Sequence, residues 1–291
     1  MTTSSGIVTF FNGLIVRIYT DIGLRWLFFK KVFSASLSNI QDVNMYFKFT
    51  ILFLLIFTAG STTFAQKTSI KPIEPDTSTL TDAKRNRLVP IAIYVPGIET
   101  QKKPIPVILS PGYPGKNIHY RYIAQNLAEK GYLVVTIQHD LPSDSPIPTG
   151  ENLYQRRLPF WETGVANILF VIEKLKKKYP NAEYRHLVLI GHSNGGDISM
   201  LMTSKYPDMV SKVISLDNRR APFPRIKSPR LYSIRSKDQI ADPGVIPSTA
   251  EIKKYAMTIV KTETNHDDMG GAATKAQLDE INSLIESFLH K

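Results

Sequence analysis

The chain has 291 residues, a formal net charge of +11, 43% hydrophobic and 21% charged side chains, and no cysteine. The apolar content excludes a largely disordered chain, and a mean hydropathy of −0.12 argues against a polytopic membrane protein. Without cysteine there is no disulfide framework, thiolate nucleophile or Cys-ligated metal. The basic residues are spread along the chain, with the densest run at Lys174, Lys176, Lys177 and Lys178. That distribution points to a solvated basic surface rather than a nucleic-acid footprint, which would cluster Lys and Arg among aromatics.

Residues 45–65 open on Met45 and Lys48, continue through an apolar run from Phe49 to Phe57, and end Thr63-Phe64-Ala65. This is the layout of a secretory signal peptide, with expected cleavage after Ala65. The apolar run is shorter than the roughly 20 residues a membrane span needs. The expectation is a secreted or periplasmic protein with no stable membrane anchor after cleavage. Residues 1–44 lie ahead of this signal and read as an upstream extension or translation artefact. Residues 66–84, rich in Ser, Thr, Pro and Lys, read as an exposed lead-in. Residues 85–291 read as one folded domain.

In chain order, Arg87–Val95 and Ile105–Leu109 are predicted strands joined by the turn at 96–104. Tyr120–Lys130 is a predicted helix and Leu133–Ile137 a buried strand. Residues 140–161 read as an insertion containing Pro, Ser and Arg. Helix follows over Thr163–Lys177, strand at Leu187–Ile190, helix at Asp197–Lys205 and strand at Val213–Leu216. Strand Arg230–Ile234, a short helix Thr249–Tyr255, strand Met257–Val260 and helix Thr274–Leu289 complete the pattern. Strands alternating with helices indicate an α/β fold, with a mainly parallel sheet and helices on both faces. Ligands in such sheets bind beyond the carboxyl ends of the strands.

At 186–196 the sequence reads HLVLIGHSNGG, an apolar strand running into Gly191-His192-Ser193-Asn194-Gly195 and then a helix. In this setting G-x-S-x-G exposes a serine on a sharp strand-to-helix turn, and the helix N-terminus behind it favours an oxyanion. A serine needs a base to become nucleophilic. Of the six histidines, His266 follows the last strand and is the candidate base. His139 and His119 also lie at the carboxyl ends of strands and could line a pocket. The acid that orients the imidazole has three candidates. Asp238, just past strand Arg230–Ile234, ranks first, then Asp217, then Asp242.

These residues resemble the α/β-hydrolase superfamily, and within it the dienelactone hydrolase and platelet-activating-factor acetylhydrolase-like branch of secreted bacterial serine hydrolases. The resemblance covers roughly 85–291. It rests on GHSNGG, on Ser110-Pro111-Gly112-Tyr113-Pro114-Gly115 after a strand, and on GYLVVTIQHD. It implies an oxyanion hole from the backbone N–H groups of Tyr113 and Asn194, and a triad in the chain order Ser193, Asp238, His266. Pro111 departs from the family, where histidine is common. The link from Asp217 to Arg230 is too short for a large cap domain. Arg219, Arg220, Trp161 and His139 are candidate substrate-binding residues, the arginines for a carboxylate or phosphate.

The resemblance implies a serine hydrolase acting on a small-molecule carboxylic ester through an acyl-enzyme, with no metal and no organic cofactor. HExxH is absent from the chain. An amidase, peptidase or acyltransferase on the same residues, or a non-catalytic binding protein on the same fold, are the alternatives.

Overall fold

A computed structural model of the protein describes residues 72–97 and 103–290, all within one compact unit, Ile70–Lys291. The expected signal segment at 45–65 and the extension at 1–44 lie outside the described residues, as does most of the turn at 96–104.

Eight strands form one sheet. They are β1 (Asp76–Asp82), β2 (Arg87–Tyr94), β3 (Pro106–Ser110), β4 (Leu133–Ile137), β5 (Val188–His192), β6 (Lys212–Leu216), β7 (Arg230–Arg235) and β8 (Thr258–Lys261). Their spatial order is β1-β2-β4-β3-β5-β6-β7-β8. Strand β2 runs antiparallel to both β1 and β4, and every pair from β4 across to β8 is parallel. The order reverses between β3 and β5, since the chain leaves β3 for β4 on one side and later enters β5 on the other. The carboxyl ends of these two strands therefore frame the crevice where such sheets bind ligands.

The central strands read as continuous apolar runs because helices cover both faces. On one face Ile108, Val135, Leu189 and Val213 pack beneath α2 (Leu153–Lys178) and α3 (Asn194–Lys205). On the other, Leu109, Val134, Ile190 and Ile214 pack beneath α1 (Arg121–Glu129) and α5 (Lys275–Leu289). The short α4 (Thr249–Lys254) is closed by a capping box between Ser248 and Glu251. Among the described residues no helix is long and apolar enough to cross a membrane.

Two expectations need correction. The lead-in at 66–84 contains β1, whose Asp76–Asp82 pairs along its whole length with β2. This is an edge strand, polar and mostly exposed, so burial leaves no apolar signature; its sign in the sequence is β-branched threonine at 77, 79 and 81. The insertion at 140–161 is loop only as far as Asn152, because α2 begins at Leu153. Trp161, Val165, Ile168 and Ile172 form one buried stripe at helical spacing. That stripe carries the helix through Pro159, which lies in its second turn.

Candidate active site

Strand β5 ends at His192, and Ser193 caps α3 at φ 50°, ψ −117°. That backbone is strained for a residue with a Cβ, and close packing holds it. A Cβ on Gly195 would lie 2.1 Å from the Ser110 carbonyl oxygen, and one on Gly191 would lie 2.2 Å from that of Gly195. Only glycine lets α3 start this close to β3. The turn is also hydrogen-bonded sideways, since the Ser193 N–H donates to the Leu216 carbonyl at 2.9 Å.

The Ser193 hydroxyl lies 2.9 Å from His266 Nε2. His266 Nδ1 lies 2.6 Å from Asp217 Oδ2. Asp217 is fully buried, and both its oxygens are occupied. Oδ2 also accepts from the Ser236 hydroxyl at 2.7 Å, while Oδ1 takes Arg235 Nη2 at 2.8 Å and the Ser236 N–H at 3.2 Å. Burial alone would raise the Asp217 carboxyl, but the His266 hydrogen bond, the Arg235 charge and Ser236 outweigh it and hold it below its ordinary value.

The acid on the imidazole is thus Asp217, and the ranking of Asp238 first is corrected. Asp238 accepts the His266 backbone N–H at 2.7 Å, so it anchors the loop that carries the histidine rather than the ring. Strand register gives the reason. His192 pairs with Leu216 and Leu216 with Ile234, so Ser193, Asp217 and Arg235 follow side by side at neighbouring strand ends. Asp238 is three residues beyond β7, on an exposed loop. Asp242, the third candidate, pairs with Arg220 at 2.9 Å.

The two expected oxyanion donors flank this centre. Asn194 is the first residue of α3, where a helical N–H has no intrahelical acceptor. The Tyr113 N–H makes no hydrogen bond among the described residues, whereas that of Gly112 donates to the Tyr120 hydroxyl at 3.1 Å. The loop ahead of α2 reaches the loop after β3, the Ile147 N–H donating to the Tyr113 hydroxyl. Asp144 in that loop holds Arg87 through both guanidinium ends, at 2.9 and 2.7 Å.

The substrate-binding candidates are placed differently. Trp161 is fully buried, its indole N–H donating to Asn194 Oδ1 at 2.8 Å. It braces the residue after Ser193 and offers no surface to a ligand. His139 is 5% exposed and bonds Ser110 Oγ at 2.9 Å, beneath the oxyanion loop, so it too is a support. Arg219 donates to Gln239 and Arg220 to Asp242, so both guanidiniums have protein partners. His119 accepts from the Lys116 N–H. The link over 218–229 contains no helix or strand, and no cap is inserted there. Among the described residues no group of three His, Asp or Glu side chains is arranged to hold a metal.

Four buried groups set an unusual acid response. Burial holds His139 and His192 down to about 3, with the Arg87 and His266 charges adding respectively. Burial pushes Asp197 up to about 6, and burial with the Asp144 charge does the same for Asp140. Below pH 6.5 the unfolded chain takes up imidazole protons that the fold refuses until about 3, which favours unfolding. Between about 6 and 3.8 the fold binds carboxyl protons that the unfolded chain refuses, which favours folding. Two groups act each way, so the urea midpoint is expected to stay nearly level from pH 6 to pH 4. It is expected to fall below about pH 4, where the raised carboxyls no longer offset the histidines and the depressed carboxyls of Asp217 and Glu251 act in the same direction as the histidines. A steep fall already between pH 6 and pH 4 would contradict this.

The family model for the alpha/beta hydrolase fold matches residues 105–224. A probable 1-alkyl-2-acetylglycerophosphocholine esterase of Arthroderma benhamiae is 32% identical over 125 residues, 39% of this chain and 31% of that protein, so the match spans about a third of that relative. Among solved structures, an esterase of Rhizomucor miehei superimposes with a TM-score of 0.57 at 12% identity, covering 77% of this chain and 84% of that one. A Xanthomonas campestris serine hydrolase described as having no lid gives 0.51 at 16% identity, covering 76% and 95%. The sheet order, the strand–turn–helix at Ser193 and these matches together show that the chain has the α/β-hydrolase fold.

Proposed function

We propose that the protein is a serine hydrolase that cleaves a carboxylic ester through an acyl-enzyme. The observation that carries this is the unbroken chain from Ser193 Oγ to His266 Nε2 at 2.9 Å and from His266 Nδ1 to Asp217 Oδ2 at 2.6 Å. The name of the Arthroderma relative supports an ester as the substrate class.

In this reading Ser193 Oγ attacks the ester carbonyl while His266 Nε2 takes its proton. Asp217 keeps the Nδ1–H tautomer in place and stabilises the imidazolium. The Tyr113 and Asn194 amides receive the negative charge that develops on the carbonyl oxygen. His266 then gives its proton to the departing alcohol, leaving Ser193 acylated. Water, deprotonated by His266, cleaves the acyl-enzyme and restores the serine.

Arg235 has a supporting part. Its guanidinium shares the Asp217 carboxylate with the imidazole and donates to the Asn218 carbonyl at 2.7 Å. It keeps a carboxylate with no solvent access ionised at neutral pH.

A fluorophosphonate probe tests the nucleophile. Wild type is expected to label, Ser193→Ala to lose labelling entirely, and His266→Ala to label at least about 100-fold more slowly. A folded wild type that does not label would overturn the reading. Turnover of p-nitrophenyl esters with inert p-nitroanilides separates an esterase from an amidase or peptidase, and the reverse preference would replace the ester by an amide. We further propose export through the signal segment at 45–65. N-terminal sequencing of the natural product is expected to begin at Gln66, and a product that retains residues 45–65 would refute export by cleavage.

A further inference from the structure

His192, between Gly191 and the nucleophile, has no part in the reaction as proposed, yet its surroundings are closely specified. It is buried, and burial keeps its ring neutral well below physiological pH. A neutral imidazole has one N–H and one acceptor nitrogen. Its Nδ1 lies 2.5 Å from the hydroxyl of Tyr120. Tyr120 caps α1 from the left-handed region, at φ 60°. Its phenol is buried too, and burial pushes it up to about 12, so it keeps its proton.

The same hydroxyl oxygen accepts the Gly112 N–H at 3.1 Å. An amide N–H can only donate, so the phenol's own proton remains available to His192 Nδ1. With that proton on the bond to Nδ1, His192 carries its own on Nε2. Gly112 runs through the middle of the group. A Cβ there would come within 2.8 Å of His192 Nδ1 and 3.3 Å of Ser193 Cβ. The next residue is Tyr113, whose amide is a proposed oxyanion donor. The His192 ring in turn lies against that of His266, centroids 4.6 Å apart.

We infer that Tyr120 and His192 are positioning residues for the oxyanion hole: the chain from Gly112 N–H through Tyr120 Oη–H to His192 Nδ1 clamps the loop after β3 onto the residue preceding the nucleophile, and so aims the Tyr113 amide at the oxygen bound beside Ser193. The inference rests on the serine-hydrolase reading. Neither side chain touches the reacting atoms. The clamp acts by holding a donor whose alignment matters only as charge develops in the transition state.

Steady-state kinetics on a p-nitrophenyl ester test it with wild type, Tyr120→Phe, His192→Leu and His192→Asn. Phenylalanine leaves the Gly112 N–H without its acceptor and His192 Nδ1 without its donor. Leucine removes the acceptor for the tyrosine proton. Asparagine returns an acceptor oxygen close to the position of Nδ1. Tyr120→Phe and His192→Leu are expected to lose about 10- to 100-fold in kcat with KM changed less than about threefold. The acid limb of the kcat/KM profile is expected to stay in place, because His266 remains the base. His192→Asn is expected to recover most of the loss.

Folded Tyr120→Phe and His192→Leu proteins with wild-type kcat would overturn the inference, as would His192→Asn no better than His192→Leu. Should the variants fail to fold, the nitrogen NMR spectrum of wild type decides: His192 protonated on Nε2 is expected, and protonation on Nδ1 refutes the clamp. A wild type that turns over no ester overturns the functional reading itself, whereas an active wild type with unimpaired variants overturns the clamp alone.

Discussion

The carboxyl end of the sheet depends on how closely α3 approaches β3. The Gly195 backbone sits where a single added carbon would lie 2.1 Å from the Ser110 carbonyl and 2.4 Å from that of Pro111. This contact forces the strand-to-helix turn into the geometry seen at Ser193 and brings that serine beside the loop after β3. It also fixes the lateral spacing. The Ser193 N–H donates to Leu216 and the Asp217 N–H to Ile234, both at 2.9 Å, extending the sheet ladder one residue past the ends of β5 and β6. Serine, acid and arginine are therefore set by strand register rather than by flexible loops. Only His266 comes from further out, and Asp238 and the Lys237–Thr264 backbone hydrogen bond secure its loop.

Electrostatics reinforce this arrangement. A carboxylate removed from water is costly unless its charge is balanced and its lone pairs are filled. Asp217 meets both conditions through Arg235, Ser236 and His266. His192, its ring tilted against that of His266, is buried in a form that adds no second cation beside it. Around Ser193 and His266 the structure thus sets one ionised acid balanced by Arg235 and one neutral imidazole. The proposed proton shuttle between serine and leaving group needs such a setting.

Much of this was legible in the sequence where backbone sterics dictate residue type. Gly191, Ser193 and Gly195 can be read because no other residue than glycine fits the two flanking positions, and the preceding run of buried apolar residues, Leu187 to Ile190, marks the strand. Asp238 and Asp217 could not be ranked correctly from spacing, because both follow strand ends and the choice depends on strand register. A pointer existed in Asp217-Asn218. Aspartate tolerates the left-handed conformation observed at Asp217, φ 55°, and a strand that ends there can turn its carboxylate back across its neighbours. Trp161 was misread because Pro159 suggests a loop, while the stripe through Val165 and Ile168 marks a helix whose buried face begins at Trp161. Strand β1 escaped because an edge strand with two wet faces carries no hydrophobic alternation.

The central claim is that Asp217, and not Asp238, orients the base. Turnover of one p-nitrophenyl ester by Asp217→Asn and Asp238→Asn, compared with wild type at pH 8, tests it directly. Asparagine at 217 presents the wrong hydrogen-bonding group to His266 Nδ1 and is expected to lower kcat by about 10³- to 10⁴-fold. Asparagine at 238 keeps a carbonyl oxygen for the His266 N–H and is expected to cost less than about 10-fold. The opposite ranking in two folded variants would show that Asp217 is a structural carboxylate and would contradict the account of the site given by strand register.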